Sequence, residues 1–170
     1  MNSETSTPVT IVGAGPVGLM LANLLAAYEV PVVVIERHTT TVQEPRAISI
    51  DDESLRALQI PGLDAALKAT CAMDYGSVYL GPDRQAFASV SPTSAEYGHP
   101  RRSAFAQPIL EAMLAENLGK YPHAQVRFGE EVLALEQNDS HVALTIQRED
   151  GNKYVQTSQY VAACDGGRSP

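Results

Sequence analysis

Near the start of the chain, Gly13-Ala14-Gly15-Pro16-Val17-Gly18 has the G-x-G-x-x-G spacing that lets a backbone approach phosphate groups. On this reading Gly13 makes a tight turn after a strand. Gly15 removes the Cβ that would stand between the backbone and a pyrophosphate, and Gly18 lets a helix pack closely on the strand. The exposed N–H groups and the positive end of the helix dipole then face the phosphates. Glu36 stands where a carboxylate takes ribose hydroxyls, which argues mildly against a 2′-phosphate on this nucleotide. Arg37, beside it, is suited either to pair with a phosphate or to edge an adenine. The competing reading is a buried βαβ unit whose glycines serve only turn and packing. The motif by itself does not separate FAD from NAD, since both carry an adenosine diphosphate half.

These residues need a strand before the glycines, a helix after them and a second strand ending in the acid. The sequence supplies all three. Val9 to Val12 is a short β-branched run, Leu19 to Tyr28 is rich in Leu, Ala and Met, and Val32 to Ile35 leads into Glu36. The unit therefore covers about residues 9–36. Beyond it, Asp51, Asp52, Glu53 and Ser49 are placed to cap a helix through Leu55 and Leu58, stopped by Pro61-Gly62. Ser77 to Leu80 and Gln85 to Val90 read as two strands around Gly81-Pro82-Asp83. Ser91 to Arg102 reads as a loop. Pro108 opens a helix with apolar positions Ile109, Leu110, Met113, Leu114 and Leu118. An antiparallel β-meander is expected over about 130–158, from Val132–Glu136, Val142–Gln147 and Lys153–Thr157. A separate final strand, Tyr160–Cys164, follows.

Composition narrows the class. The 170 residues amount to one domain's worth, 44% apolar and 19% charged, as in a globular protein with a core. A net charge of −8 leaves no basic excess for a nucleic-acid backbone. Cys71 and Cys164 are far apart and lack CxxC spacing, so neither a metal site nor a disulfide framework is expected; free thiols in the cytoplasm are. From Val9 to Val34 the only charge is Glu29, which mimics a signal peptide or membrane span. The basic-free leader with Glu4, the glycine cluster and Pro31 favour a buried βαβ unit instead, with no membrane partner. The four histidines are scattered, and no metal set or catalytic triad is read.

Three further segments carry a family resemblance: Pro45-Arg46-Ala47-Ile48-Ser49-Ile50-Asp51-Asp52-Glu53, Pro100-Arg101-Arg102-Ser103-Ala104-Phe105-Ala106-Gln107-Pro108 and Ala163-Cys164-Asp165-Gly166-Gly167-Arg168-Ser169. In order and spacing the chain resembles the single-component FAD aromatic hydroxylases (class A flavoprotein monooxygenases), nearest to the 3-(3-hydroxyphenyl)propionate hydroxylases. The resemblance runs from about Val9 to the end. It implies an α/β, Rossmann-like FAD-binding fold, with a parallel sheet plus the antiparallel β-meander. It also implies that Arg46 reaches the pyrophosphate region, that Gln107 hydrogen-bonds the cofactor, and that Asp165 lies near FAD and bears on NAD(P)H use. The bland alternatives are a surface arginine, a helix-capping glutamine and a turn aspartate. Ser49 departs from the Gly common among wider relatives, which makes close backbone approach there less assured.

The resemblance also implies the chemistry. NADH or NADPH reduces FAD, O₂ forms a flavin C4a-hydroperoxide, and a phenolic substrate is hydroxylated ortho to its hydroxyl. Members of this type continue much further, with a second FAD motif and a substrate domain, both absent from residues 1–170. The chain is thus expected to be a truncated N-terminal part of the FAD-binding domain, inactive alone and prone to self-association. The alternatives are a stand-alone nucleotide-binding module without turnover and another FAD or NAD oxidoreductase.

Overall fold

The computed structural model describes residues 4–167; Arg168 and Ser169 of the last motif lie outside the described residues. β1 (Glu4–Val12) leads into α1 (Pro16–Ala27), and β2 (Val32–Glu36) returns parallel to β1. There follow β3 (Ser49–Asp51), α2 (Asp52–Ala57), α3 (Asp64–Lys68), β4 (Ser77–Leu80), β5 (Ala86–Val90) and β6 (Arg102–Ala104). The chain ends with α4 (Gln107–Leu118), β7 (Ala124–Phe128), β8 (Glu130–Gln137), β9 (Val142–Arg148) and β10 (Lys153–Ala163). Two compact units result. The first is the described part of Met1–Gln43 with Glu111–Pro170, and the second is Glu44–Leu110.

The first unit is an α/β fold on one mixed sheet of six strands, in the order β7-β2-β1-β10-β9-β8. The strands from β7 to β10 are parallel neighbours, and β10-β9-β8 is the antiparallel meander. Val32 to Ile35 are all buried, the continuous apolar run of a strand covered on both faces. In β9 Val142, Leu144 and Ile146 are buried while their neighbours are partly open, the period-two pattern of a strand with one core face. These three pack with Val33, Ile35 and Tyr154 in one cluster, so the meander and the parallel strands share a core.

The expected break between Lys153–Thr157 and Tyr160–Cys164 is corrected: one strand of 11 residues spans both. Its first half pairs with β9 through Ser158, and from Val155 onward it also pairs with β1. Ser158 and Gln159 stay extended because a strand runs beside them. The buried Ser158 hydroxyl is hydrogen-bonded to Thr10 Oγ1 at 2.5 Å. The antiparallel pairing of the meander ends at Ser158, and β10 runs on to Ala163 beside β1. β7 was not anticipated: Ala124-Gln-Val-Arg-Phe is short and half polar, and it becomes a strand by pairing with Val32–Glu36. α1 begins at Pro16, earlier than Leu19, because proline's fixed φ suits a first helical turn.

In the second unit β3 and β6 form a two-stranded ribbon, and β4 and β5 form a hairpin. The capping role expected of Ser49 is corrected. Asp51 is the N-cap, its Oδ1 accepting the Ser54 N–H at 2.8 Å, with Asp52 and Glu53 in the first turn. Ser49 lies in β3, too far back to reach a helix N–H, and its hydroxyl accepts two N–H groups of Arg102 at 3.3 and 3.4 Å. β3, β6 and α3 are three to five residues long, too short to show a hydrophobic period. Among the described residues no helix is long and apolar enough to cross a membrane, and no cluster of three or more His, Cys, Asp or Glu could hold a metal.

Candidate functional site

The glycine segment closes the end of β1 on itself. Gly13 has φ +103°, a conformation L side chains rarely adopt, and its N–H donates to Ile35 O at 2.8 Å. A Cβ on Gly13 would stand 2.5 Å from Cys164 O, and one on Gly18 would stand 2.0 Å from Gly13 O and 3.2 Å from Cys164 Cβ. Both glycines are thus required by backbone approach. What presses on them includes the Cys164 segment just after β10, a partner no sequence signal near the glycines discloses. Cys164 N–H in turn donates to Val12 O at 2.8 Å, which fixes that segment against β1.

Gly15 is different. Nothing lies within 4 Å of where its Cβ would be. It is the N-cap of α1, with Pro16 following, no side-chain cap and no acid in the first turn. Ala14 is buried beside it, while Val17 is 68% exposed. The helix N-terminus thus carries donor N–H groups and a positive dipole end without a carboxylate of its own turn to satisfy them.

Glu36 ends β2, and its side chain is turned to the loop. Oε2 accepts the Ala14 N–H at 2.8 Å, while Oε1 accepts the His38 N–H at 2.9 Å and contacts His38 Nδ1 at 2.6 Å. Burial pushes its carboxyl up. The hydrogen bonds from the His38 and Ala14 backbone, with the His38 ring, outweigh burial and hold it below the ordinary glutamate value. His38 was missing from the predicted site. Its signal, an i+2 histidine after the ribose-type acid, is visible only once the acid's partners are known. Arg37 is exposed at the same strand end.

Asp165 is brought to this loop as well: its Cα lies 2.8 Å from the position a Gly13 Cβ would take, and Gly166 beyond it turns with φ +86°. The first unit therefore gathers Gly13, Ala14, Gly15, Pro16, Val17, Gly18, Glu36, Arg37 and Asp165 at the ends of β1, β2 and β10. Arg46 and Gln107 come together in the second unit. Gln107 Oε1 accepts the N–H of Arg46 at 3.0 Å and of Ala47 at 2.7 Å, so this buried side chain holds the Arg46 backbone, and Arg46 itself is exposed.

The residues present fit the adenosine diphosphate end of FAD. An open cradle over Gly15, an uncapped helix N-terminus and an adjacent ionised carboxylate are the donor and acceptor set that a pyrophosphate and a ribose need.

Residues 6–170 match the family described as FAD binding domain. The chain is 44% identical over 169 residues to the 3-(3-hydroxy-phenyl)propionate/3-hydroxycinnamic acid hydroxylase 2 of Burkholderia vietnamiensis, covering 99% of this chain and 31% of that protein. It is 41% identical over 165 residues to the corresponding hydroxylase of Escherichia coli, covering 96% of this chain and 30% of that protein. The chain thus spans about a third of the length of the curated relatives it matches. Among solved structures, p-nitrophenol 4-monooxygenase PnpA from Pseudomonas putida superposes with a TM-score of 0.89 at 28% identity, over 98% of this chain and 42% of that one. The flavin-dependent monooxygenase PieE, solved with FAD and substrate, gives 0.84 at 27% identity, over 96% of this chain and 31% of that one.

Proposed function

The chain belongs to the FAD binding domain family of the class A flavin monooxygenases, and from that premise we propose that it holds the adenosine diphosphate half of FAD for the ortho-hydroxylation of a phenol such as 3-(3-hydroxyphenyl)propionate. The observation that carries the reading is the empty space over Gly15 at the uncapped start of α1, beside a carboxylate held ionised. In this reading the N–H groups at the start of α1 bind the pyrophosphate, and Glu36 takes a ribose hydroxyl. Arg37 edges the nucleotide. By family resemblance Arg46, whose backbone Gln107 holds, is assigned to the phosphates, which its permanent charge and planar fork suit. Gln107 and Asp165 would complete the cofactor set, and Asp165 would bear on the use of NADH or NADPH.

Bound FAD supplies the electron transfer and oxygen activation, while the protein binds, orients and excludes water. No side chain of this chain is assigned a covalent or acid–base step. The intact reaction takes a phenolic substrate, O₂ and NADH or NADPH, in the cytoplasm. The 170 residues bind nucleotide without turning over substrate.

Titrating the purified chain with FAD, followed by flavin fluorescence, tests the reading. Saturable binding that ADP competes away is expected. Absence of FAD affinity refutes it for this chain, and 3-(3-hydroxyphenyl)propionate-stimulated oxidation of NADH or NADPH by the chain alone overturns the assignment of no turnover.

A further inference from the structure

We infer that His38 is a positioning residue for the nucleotide: its ring and backbone N–H together fix the Glu36 carboxylate so that one edge of Oε2 is presented to the ribose. The inference rests on the FAD reading above and concerns how Glu36 works within it.

An ionised carboxylate has about four acceptor positions, two on each oxygen. His38 fills both positions of Oε1, with its backbone N–H at 2.9 Å and Nδ1 at 2.6 Å, and Ala14 N–H fills one position of Oε2 at 2.8 Å. One position remains, on the oxygen that already faces the glycine loop. The arrangement is anchored, because His38 O accepts the Gly129 N–H at 2.9 Å, which ties the residue to the turn between β7 and β8. Glu36 is largely covered, its side chain 12% exposed, while the His38 side chain is 66% exposed. His38 therefore contributes little packing, and what it does contribute is the donor on Oε1. Since both oxygens have partners on the protein, the carboxylate cannot grip two ribose hydroxyls through Oε1 and Oε2 at once without displacing the His38 ring. The geometry makes the grip one-sided and makes its direction depend on His38.

The test compares ADP with its 2′-deoxy and 3′-deoxy analogues as competitors of FAD on the 170-residue chain. The wild type is expected to prefer ADP over at least one analogue. His38→Ala should lower that preference about tenfold, the worth of one hydrogen bond to a charged group, while its melting curve, lowered by the lost hydrogen bond, still shows a folded protein. His38→Asn, whose side-chain amide can replace Nδ1 as donor, should restore it. Where His38→Ala fails to fold, His38→Phe, which fills the ring's place without a donor, takes its part in the comparison. An unchanged preference in the donor-less variant, or an equal loss for ADP and both analogues, overturns the inference and leaves the FAD reading standing. A wild type that binds FAD without any preference overturns the inference through Glu36. A wild type that binds neither FAD nor ADP refutes the FAD reading and the inference with it.

Discussion

The Ala14 backbone N–H donates to the Glu36 carboxylate at 2.8 Å, joining the glycine loop to the end of the neighbouring strand across 22 residues of chain. The contact explains why the acid belongs to the loop before any nucleotide arrives. It also makes the loop's stability sensitive to the charge on Glu36.

Acid should weaken the fold through this contact. The folded-state pKa of Glu36 is lowered, so its stabilisation is complete above the unfolded glutamate value, about 4.3, and is lost as pH falls through the lower folded value. Glu36→Gln should therefore be less stable than wild type at pH 7, and the gap should close as pH falls below about 4. Urea midpoints at pH 7, 5 and 3 measure this, and a gap that stays constant with pH contradicts it.

Gly18→Ala should destabilise the chain rather than merely its ligand site. Its methyl would lie 2.0 Å from Gly13 O, a backbone atom that cannot move aside cheaply. A cost of about 1–3 kcal/mol or more is expected, read as a lowered thermal midpoint without any nucleotide present.

Gly15→Val should do the reverse. The added Cβ meets nothing within 4 Å beyond its chain neighbours, so the melting curve should shift little, by about 1 kcal/mol as an N-cap change. FAD and ADP affinity should fall at least tenfold because the side chain fills the cradle. Unchanged affinity by fluorescence titration would remove Gly15 from the pyrophosphate site.

Asn23 is a structural polar group rather than a ligand. Buried in α1, it donates to Leu19 O at 2.8 Å and to Leu114 O at 2.9 Å, and accepts from Asn117 Nδ2 at 2.8 Å. Asn23→Ala leaves the Leu114 carbonyl and the Asn117 amide without this partner, at about 2–4 kcal/mol. Chemical denaturation should show the loss while ADP, added at saturation to the surviving folded fraction, still binds.

The core of the meander offers a contrast. Leu144→Ala, at a fully buried position in the cluster with Val33 and Tyr154, should cost about 2–5 kcal/mol, and the same denaturation experiment measures it.

Local chemistry made the first unit legible in the sequence. The spacing of Gly13, Gly15 and Gly18 between a β-branched run and an Ala- and Leu-rich segment encodes a strand, a turn and a helix within a few residues. The run Val32 to Ile35 encodes a strand buried on both faces, with Glu36 at its end. Arg46, Gln107 and Asp165 were named only through family resemblance, because nothing within a few residues of each one points to a nucleotide.

Long-range pairing decided the rest. β7 and the continuous β10 exist because other strands lie beside them, Val32–Glu36 for one and Glu4–Val12 with Val142–Arg148 for the other. A strand's hydrogen bonds are made to residues distant in sequence, so a half-polar stretch such as Ala124–Phe128 carries no local mark of its role. The same holds for the site: that Cys164 presses on Gly13 and Gly18, and that His38 and Ala14 divide the Glu36 carboxylate between them, are facts of backbone approach. The sequence by itself determined that this chain has a glycine loop and an acid at the ends of two parallel strands. Only the tertiary structure decided which atoms hold that acid and which of its oxygens remains open to a ligand, because hydrogen-bond partners are chosen by distance in space.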